Sequence, residues 1–290
     1  MSAITWIINP TAGAGLAQSV EERLRAELER RGLEADFVHT EHPGHGEELA
    51  RRAAQNGAQT VVSVGGDGSN LEAARGLFGT RTALGLIPAG TGNDLIKTLG
   101  IPKDPMEALE WLLSHPARPM DVGTVNGRLF LNVCGTGFDV AVLDSTEKFK
   151  KRFHGLLPYL LGLITAISHN RPVQVEMTLP DGRREEKALL LCSVANGRWI
   201  GGGIPVCPAA EISDGLLDLV EVQNVPNRRI PRYLPGLMRG KILTFPITQH
   251  RRVSGLRLRS PGMRLQIDGE IVPMDEAEFA VHPGGILIHA

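Results

Sequence analysis

Residues 61–77 read VVSVGGDGSNLEAARGL: a β-branched apolar run, an aspartate fenced by glycines, then a stretch with helical spacing. Strand, glycine turn and helix in that order form half of a βαβ unit. Working outward, the same alternation continues on both sides. Strands are predicted at 4–8, 35–40, 60–64 and 83–87, with helices at 16–31, 46–56, from about Ser69, and at 93–99 and 105–114. Such alternation predicts a parallel sheet covered by helices on both faces, with ligands at the carboxyl ends of the strands. Ser69 and Glu72 fit a capping box, the serine oxygen accepting from the N–H of residue 72 and the carboxylate returning to the N–H of residue 69.

From Arg118 the pattern changes to short apolar runs bounded by turn residues, as in RPMDVGTVNGRLFLNVCG, QVEMTLPDGRREEKALLLCSVANG and MRLQIDGE. This is an antiparallel β pattern, with Asn126-Gly127 and Asp181-Gly182 as hairpin turns. Helical insertions are expected at about 139–170 and 227–242. The division is therefore an α/β domain over 1–122 and a β-rich domain over 123–290, joined by a packed hinge rather than a tether.

A chain of 290 residues with 42% hydrophobic content can build a core for each domain. Residues 1–122 carry 11 Lys+Arg against 16 Asp+Glu and residues 123–290 carry 20 against 16, which points the second half toward an anionic partner. Cys134, Cys192 and Cys207 are far apart and lack CxxC spacing, so reduced thiols are expected and a structural zinc site is not. His39, His42 and His45 in HTEHPGH have no usual zinc spacing and read as a solvated loop. The N-terminus has no signal-peptide pattern, and the longest apolar run, GLLPYLLGLITAI at 155–167, is too short to span a bilayer. The expectation is a cytoplasmic protein, at most peripheral to the inner face of the membrane.

Three turns follow predicted strands: NPTAGAG at 9–15, VGGDGSN at 64–70 and PAGTGND at 88–94. Glycine lets bare backbone N–H groups approach a ligand, and three such turns at one sheet edge suit a polyphosphate. Neither GxGxxG nor the Walker loop is present in its proper setting. For Asp67 two readings stand: a carboxylate facing phosphates across Mg2+, or a turn-capping residue.

VGGDGSNLEAARGL followed by LGLIPAGTGNDLIKTLGIP, with INPTAG, NVCGTGFD, ANGRWIGGGIPVCPAAEISDGLLDLVEV and LQIDGE, resembles the diacylglycerol-kinase-like soluble lipid kinases. The resemblance implies an N-terminal Rossmann-like α/β domain of the phosphofructokinase and NAD kinase kind and a C-terminal antiparallel β-sandwich-like domain. It implies ATP and Mg2+ as cofactors, a lipid hydroxyl as acceptor, and an active site in the cleft between the domains. It places ATP contacts at Asn9, Pro10, Thr11, Ala12 and Gly13, and at Thr40 and Thr91. Further contacts are implied at Gly65, Gly66, Asp67, Gly68, Ser69, Asn70 and Leu71.

A Mg2+ site is implied at Glu211, Asp214 and the carbonyl of Leu216, in a segment that by itself also reads as a hairpin turn. Glu270 takes the position of the proton acceptor, with Asp268 beside it and Asp67 completing the catalytic acids; read alone, Asp268-Gly269 is a tight turn and Glu270 a surface acid. The chain departs from the family in one place. Relatives run GGDG-T-x-N-E, whereas here Asn70 comes one residue early, about 100° round a helix.

The partner implied is a lipid at a membrane surface, with no nucleic acid; self-association into a homodimer is compatible with it. KFKKRFHGLLPYLLGLITAI at 148–167 offers a basic head for an anionic surface, or a basic solvated turn, followed by a helix expected in the core. Rival readings are an NAD kinase on the same architecture and a catalytically silent nucleotide or lipid sensor.

Overall fold

The computed structural model describes residues 4–150, 152–153 and 157–290. The chain divides into two compact units, Met1–Val122 with His282–Ala290, and Gly123–Val281.

The first unit is built on strands β1 (Ile4–Ile8), β2 (Asp36–His39), β3 (Thr60–Gly65) and β4 (Ala83–Pro88). They pair in parallel in the order β2-β1-β3-β4. Helices α1 (Leu16–Arg30), α2 (His45–Gln55), α3 (Asp67–Leu77), α4 (Asp94–Leu99) and α5 (Pro105–Ser114) fall between and after them. Every residue of β3 and β4 is buried, as a strand covered on both faces requires, whereas the edge strand β2 has no fully buried residue. The core includes Trp6, Ile8, Leu24, Leu84 and Leu109, each under 2% exposed. Helix α5 shows the expected start: Pro105 opens it and Asp104 Oδ1 accepts from the N–H groups of Met106 (2.8 Å) and Glu107 (3.2 Å).

The last segment corrects the sequence division. Residues 282–290, assigned above to the second domain, complete the first unit's sheet: Leu287 and Ile288 pair in parallel with Ala83 and Leu84. GGILIHA has the composition of any buried strand, and nothing in its pattern says which sheet it joins.

The second unit contains the last three residues of β5 (Ala117–Val125), which pair with β6 (Arg128–Phe130), and the pairings of β7 (Val133–Gly137), β8 (Val173–Thr178), β9 (Arg184–Ala195), β10 (Leu217–Gln223) and β11 (Thr248–Val253). It continues with β12 (Gly255–Arg259), β13 (Arg264–Ile267), β14 (Glu270–Pro273) and the first half of β15 (Glu276–His289). Neighbours along the path β14-β13-β7-β9-β8-β12-β15 pair antiparallel. Strand β10 runs antiparallel to both β9 and β11. Alternation along β10 sends Leu217 and Leu219 into one apolar cluster and Val220 and Val222 into another, so this sheet is covered on both faces. Both predicted hairpins form; Asn126 and Gly127 have φ of 48° and 77°, the left-handed pair that a tight two-residue turn needs.

Helices α6 (Phe138–Lys150), α7 (Leu157–Ser168) and α8 (Ile230–Met238) occupy the two predicted insertions. Helix α7 is less buried than expected: Leu157, Leu160 and Ile164 are 44%, 53% and 53% exposed, a stripe along one face. Of the basic head, Lys148 pairs with Asp144 at 2.8 Å and Arg152 is exposed, while residues 151 and 154 lie outside the described residues. Among the described residues no helix is long and apolar enough to cross a membrane.

Ile288 is fully buried in the returning strand. Ile288→Ala is expected to cost about 2–5 kcal/mol in urea unfolding; a loss below about 1 kcal/mol would show that 282–290 is not part of the first unit's core.

Candidate active site

Because β1 to β4 are parallel, their carboxyl ends share one edge, and the three glycine turns and Thr40 all lie just beyond it. The turns meet backbone to backbone. A Cβ on Gly90 would stand 2.4 Å from Gly66 Cα, and one on Gly13 would stand 2.3 Å from Ala89 O, closer than any side chain tolerates. Gly13, Ala14 and Gly15 all have positive φ, at 59°, 57° and 96°. Asn9 ties the first turn to the second: its Nδ2 donates to Ser69 Oγ at 3.0 Å, and its Oδ1 accepts from the Thr11 N–H and hydroxyl at 3.1 and 2.9 Å. Pro10 and Ala12 are half-buried beside it, and Thr91 is exposed in the third turn.

Asp67 is a cap, though not of its own turn. Its Oδ1 accepts from the N–H groups of Asp94 (2.7 Å) and Leu95 (3.2 Å), the first residues of α4. A carboxylate at a helix start is favourable, and it fixes the third turn to the second. Burial raises the carboxyl pKa, and the neighbouring Asp94 carboxylate adds to this; the two backbone donors and Lys97 offset part of it. Asp94 is itself buried and paired with Lys97 Nζ at 3.1 Å.

The predicted capping box does not form. Helix α3 starts at Asp67, so Ser69 is already inside it, and Glu72 reaches across to α2, accepting from Gly44 N (2.8 Å) and Gly46 N (3.0 Å). The Asn70 side chain points into the core: it is 2% exposed, and its Oδ1 accepts from Ser63 Oγ on β3 at 2.9 Å. The early amide has turned inward to satisfy a core serine, and its side chain is not presented at the sheet edge. Leu71 is likewise buried.

In the second unit Asp268 and Gly269 form a two-residue hairpin between β13 and β14, with φ of 47° and 93°. Asp268 is engaged with backbone. Its Oδ2 accepts from Leu131 N (2.7 Å) and its Oδ1 from Asn132 N and Val133 N (both 3.0 Å), so the carboxylate is spent holding the 131–133 backbone. Glu270 is 60% exposed and accepts from Arg128 Nη2 at 3.1 Å.

The EISDGL segment is a turn closed by Leu216 N donating to Asp214 Oδ1 at 3.0 Å. Asp214 Oδ2 is shut off from solvent without a hydrogen bond. Arg252 lies 3.5 Å from Asp214, 3.9 Å from Glu211 and 3.8 Å from Asp218. An all-oxygen set of this kind suits a hard cation; at present Asp214 Oδ2 faces the Arg252 guanidinium instead, at 3.5 Å.

Comparison with known proteins divides the chain near residue 125, with 282–290 counted with the second part. Residues 3–125 match a family described as the diacylglycerol kinase catalytic domain, and residues 132–290 match the YegS C-terminal NAD kinase beta sandwich-like domain. A diacylglycerol kinase of Mycobacterium tuberculosis is 30% identical, covering 98% of this chain and 94% of its own. A probable lipid kinase YegS-like protein of Pseudomonas aeruginosa is 34% identical over 94% of this chain and 91% of its own. The chain belongs to the diacylglycerol kinase and YegS-like lipid kinase family. The fold of this lipid kinase is shared with a Bacillus anthracis crystal structure of a diacylglycerol kinase, with TM-score 0.72 and 22% identity, covering 98% of this chain and 95% of that one.

One further acid of the lipid kinase, in NVCGTGFD, has a buried carboxyl group. Asp139 opens α6, and its carboxylate folds back onto β7, where a Cβ on Gly135 would stand 2.2 Å from Oδ2. Val140 N donates to Oδ1 at 2.8 Å, and Oδ2 is shut off from solvent. Burial pushes the carboxyl pKa up to about 6, against the pull of Val140 N–H and the Gln266 side chain. The sequence signal is Gly135, four residues before Asp139, and it is a weak one.

An acid with a raised native pKa keeps its proton in the folded protein after the unfolded chain has lost it, so stability falls as pH rises from about 4 to about 6. Asp139→Asn is therefore expected to flatten the pH dependence of urea unfolding in that window and to add up to about 3 kcal/mol at pH 8. An unchanged slope would contradict the burial of the charge.

Proposed function

We propose that this lipid kinase transfers the γ-phosphoryl group of ATP, with Mg2+, to the hydroxyl of a lipid of the diacylglycerol class. The observation that carries the reading is the backbone-to-backbone meeting of three glycine turns at the carboxyl edge of a parallel sheet. Such a surface offers N–H groups unscreened by side chains, which suits a triphosphate. Asn93 supports it: its Nδ2 donates to Gly90 O at 2.7 Å while its Oδ1 is buried without a hydrogen-bond partner, as expected where a ligand completes the turn.

In this reading Gly13, Gly66, Gly68 and Thr91 present N–H groups to the phosphates, with Asn9 and Ser69 setting the turn and Thr40 at the neighbouring strand end. ATP supplies the phosphoryl group, and Mg2+ neutralises its oxygens. Asp67 is the acid placed to hold that cation, and Glu211, Asp214 and the Leu216 carbonyl are the oxygen set for a second, structural one. Glu270 accepts the proton of the lipid alcohol, a group too weakly acidic to react without a positioned base. Arg128 orients Glu270, and Asp268 acts as a positioning residue by fixing the backbone beside it.

A lipid acceptor brings the chain to the cytoplasmic face of a membrane during turnover.

With labelled ATP, Mg2+ and diacylglycerol vesicles, Glu270→Gln is expected to lower turnover by about 10²–10⁴-fold while leaving the ATP-induced rise in melting temperature unchanged. Full activity in this variant would overturn the role of Glu270. Label passing to NAD but to no lipid would replace the reading with an NAD kinase.

A further inference from the structure

Cysteine spacing along the chain gives no reason to expect zinc, yet folding brings one cysteine into a mixed ligand set. Cys207 lies in the loop before β10, Asp218 on β10 and His250 on β11, all in the second unit. In the β10–β11 ladder Asp218 faces Arg252 and Val220 faces His250. Positions two apart share a face, so Asp218 and His250 project from the same side. Cys207 packs in the apolar cluster that contains Val220, on that same side.

The Cys207 Sγ, one Asp218 carboxylate oxygen and a His250 ring nitrogen all lie within 4.8 Å of one another. His250 Nε2 is 2.5 Å from Asp218 Oδ1. Cys207 and Asp218 are 0% and 1% exposed, and Asp218 Oδ2 is shut off from solvent with no hydrogen bond.

We propose that Cys207, Asp218 and His250 form a binding site for a divalent transition metal, Zn2+ by preference. Thiolate, imidazole and carboxylate are the donors of zinc sites, whereas Mg2+ does not take sulfur. Zinc bonds of about 2.0–2.3 Å in a tetrahedron set the ligand atoms roughly 3.3–3.8 Å apart, so the widest separation contracts by about 1 Å while the His250–Asp218 pair, now at 2.5 Å, opens as the metal enters between them. The metal takes the unpartnered Asp218 Oδ2 and releases the thiol proton of Cys207 to solvent. His250, on the half-buried side, leaves a fourth position for water.

The competing interaction is a metal-free pair between His250 and Asp218. That pair leaves Oδ2 unmatched, and the nearest Arg252 nitrogen, at 3.8 Å from Oδ1, is too distant for a hydrogen bond. Bound zinc would pin both ends of the segment between Cys207 and Asp218, which contains the EISDGL turn, and so stabilise that turn without taking part in phosphoryl transfer.

The test uses Zn2+ and Co2+ alone on the full chain. The expected result is one Zn2+ per chain retained through dialysis in excess Mg2+, and a near-ultraviolet thiolate-to-cobalt absorption band with Co2+. Cys207→Ser abolishes the band, and both it and His250→Gln weaken Zn2+ binding by more than the roughly 10–100-fold that loss of an outer-shell partner costs. His250→Gln keeps the test decisive if the buried serine prevents folding. No zinc retained by the wild-type chain, or a wild-type band and affinity in either folded variant, would overturn the site.

Discussion

The edge where the glycine turns meet depends on a contact that permits no side chain: Gly66 and Gly90 pass so closely that a Cβ on Gly90 would stand 2.4 Å from the other's Cα. A parallel sheet only delivers its turns to a common edge; what joins them there is bare backbone. Asp67 then holds the arrangement by accepting from two α4 amides, so the acid among the glycines has a structural task that precedes any chemistry. The desolvation that raises its pKa is the cost of standing between two turns, and the amides it accepts from lower that cost.

The second unit repeats the device. Asp268 sits in a left-handed turn and closes three backbone amides of residues 131–133, leaving Glu270, two residues on, exposed at the start of β14. In both units the aspartate of a conspicuous DG pair fastens backbone amides of a neighbouring segment. The glycine gives the turn, and the carboxylate fastens it.

Much of this was legible in the sequence, for stated physical reasons. The α/β alternation and the two Asx-Gly hairpins follow from local periodicity and turn chemistry, and the structure reproduces them within a few residues. Long-range partners were not legible. Glu72 matches a local capping box yet bonds 26 and 28 residues away, because α3 begins two residues sooner and turns that carboxylate toward α2. Asn70 looked like a displaced ligand residue and is a core residue matched to Ser63. The return of 282–290 to the first sheet, and the meeting of Cys207 with Asp218 and His250, are choices among equivalent strands and faces that no spacing encodes.

The central claim is that bare backbone at the Gly66–Gly90 contact makes the nucleotide cradle, and Gly90→Ala tests it most directly. The variant is to be compared with wild type by circular dichroism and by the melting-temperature rise on adding ATP with Mg2+. The account predicts an unchanged fold with the ATP-induced rise lost, since the methyl group must part the two turns. A wild-type rise in a folded Gly90→Ala protein would contradict it.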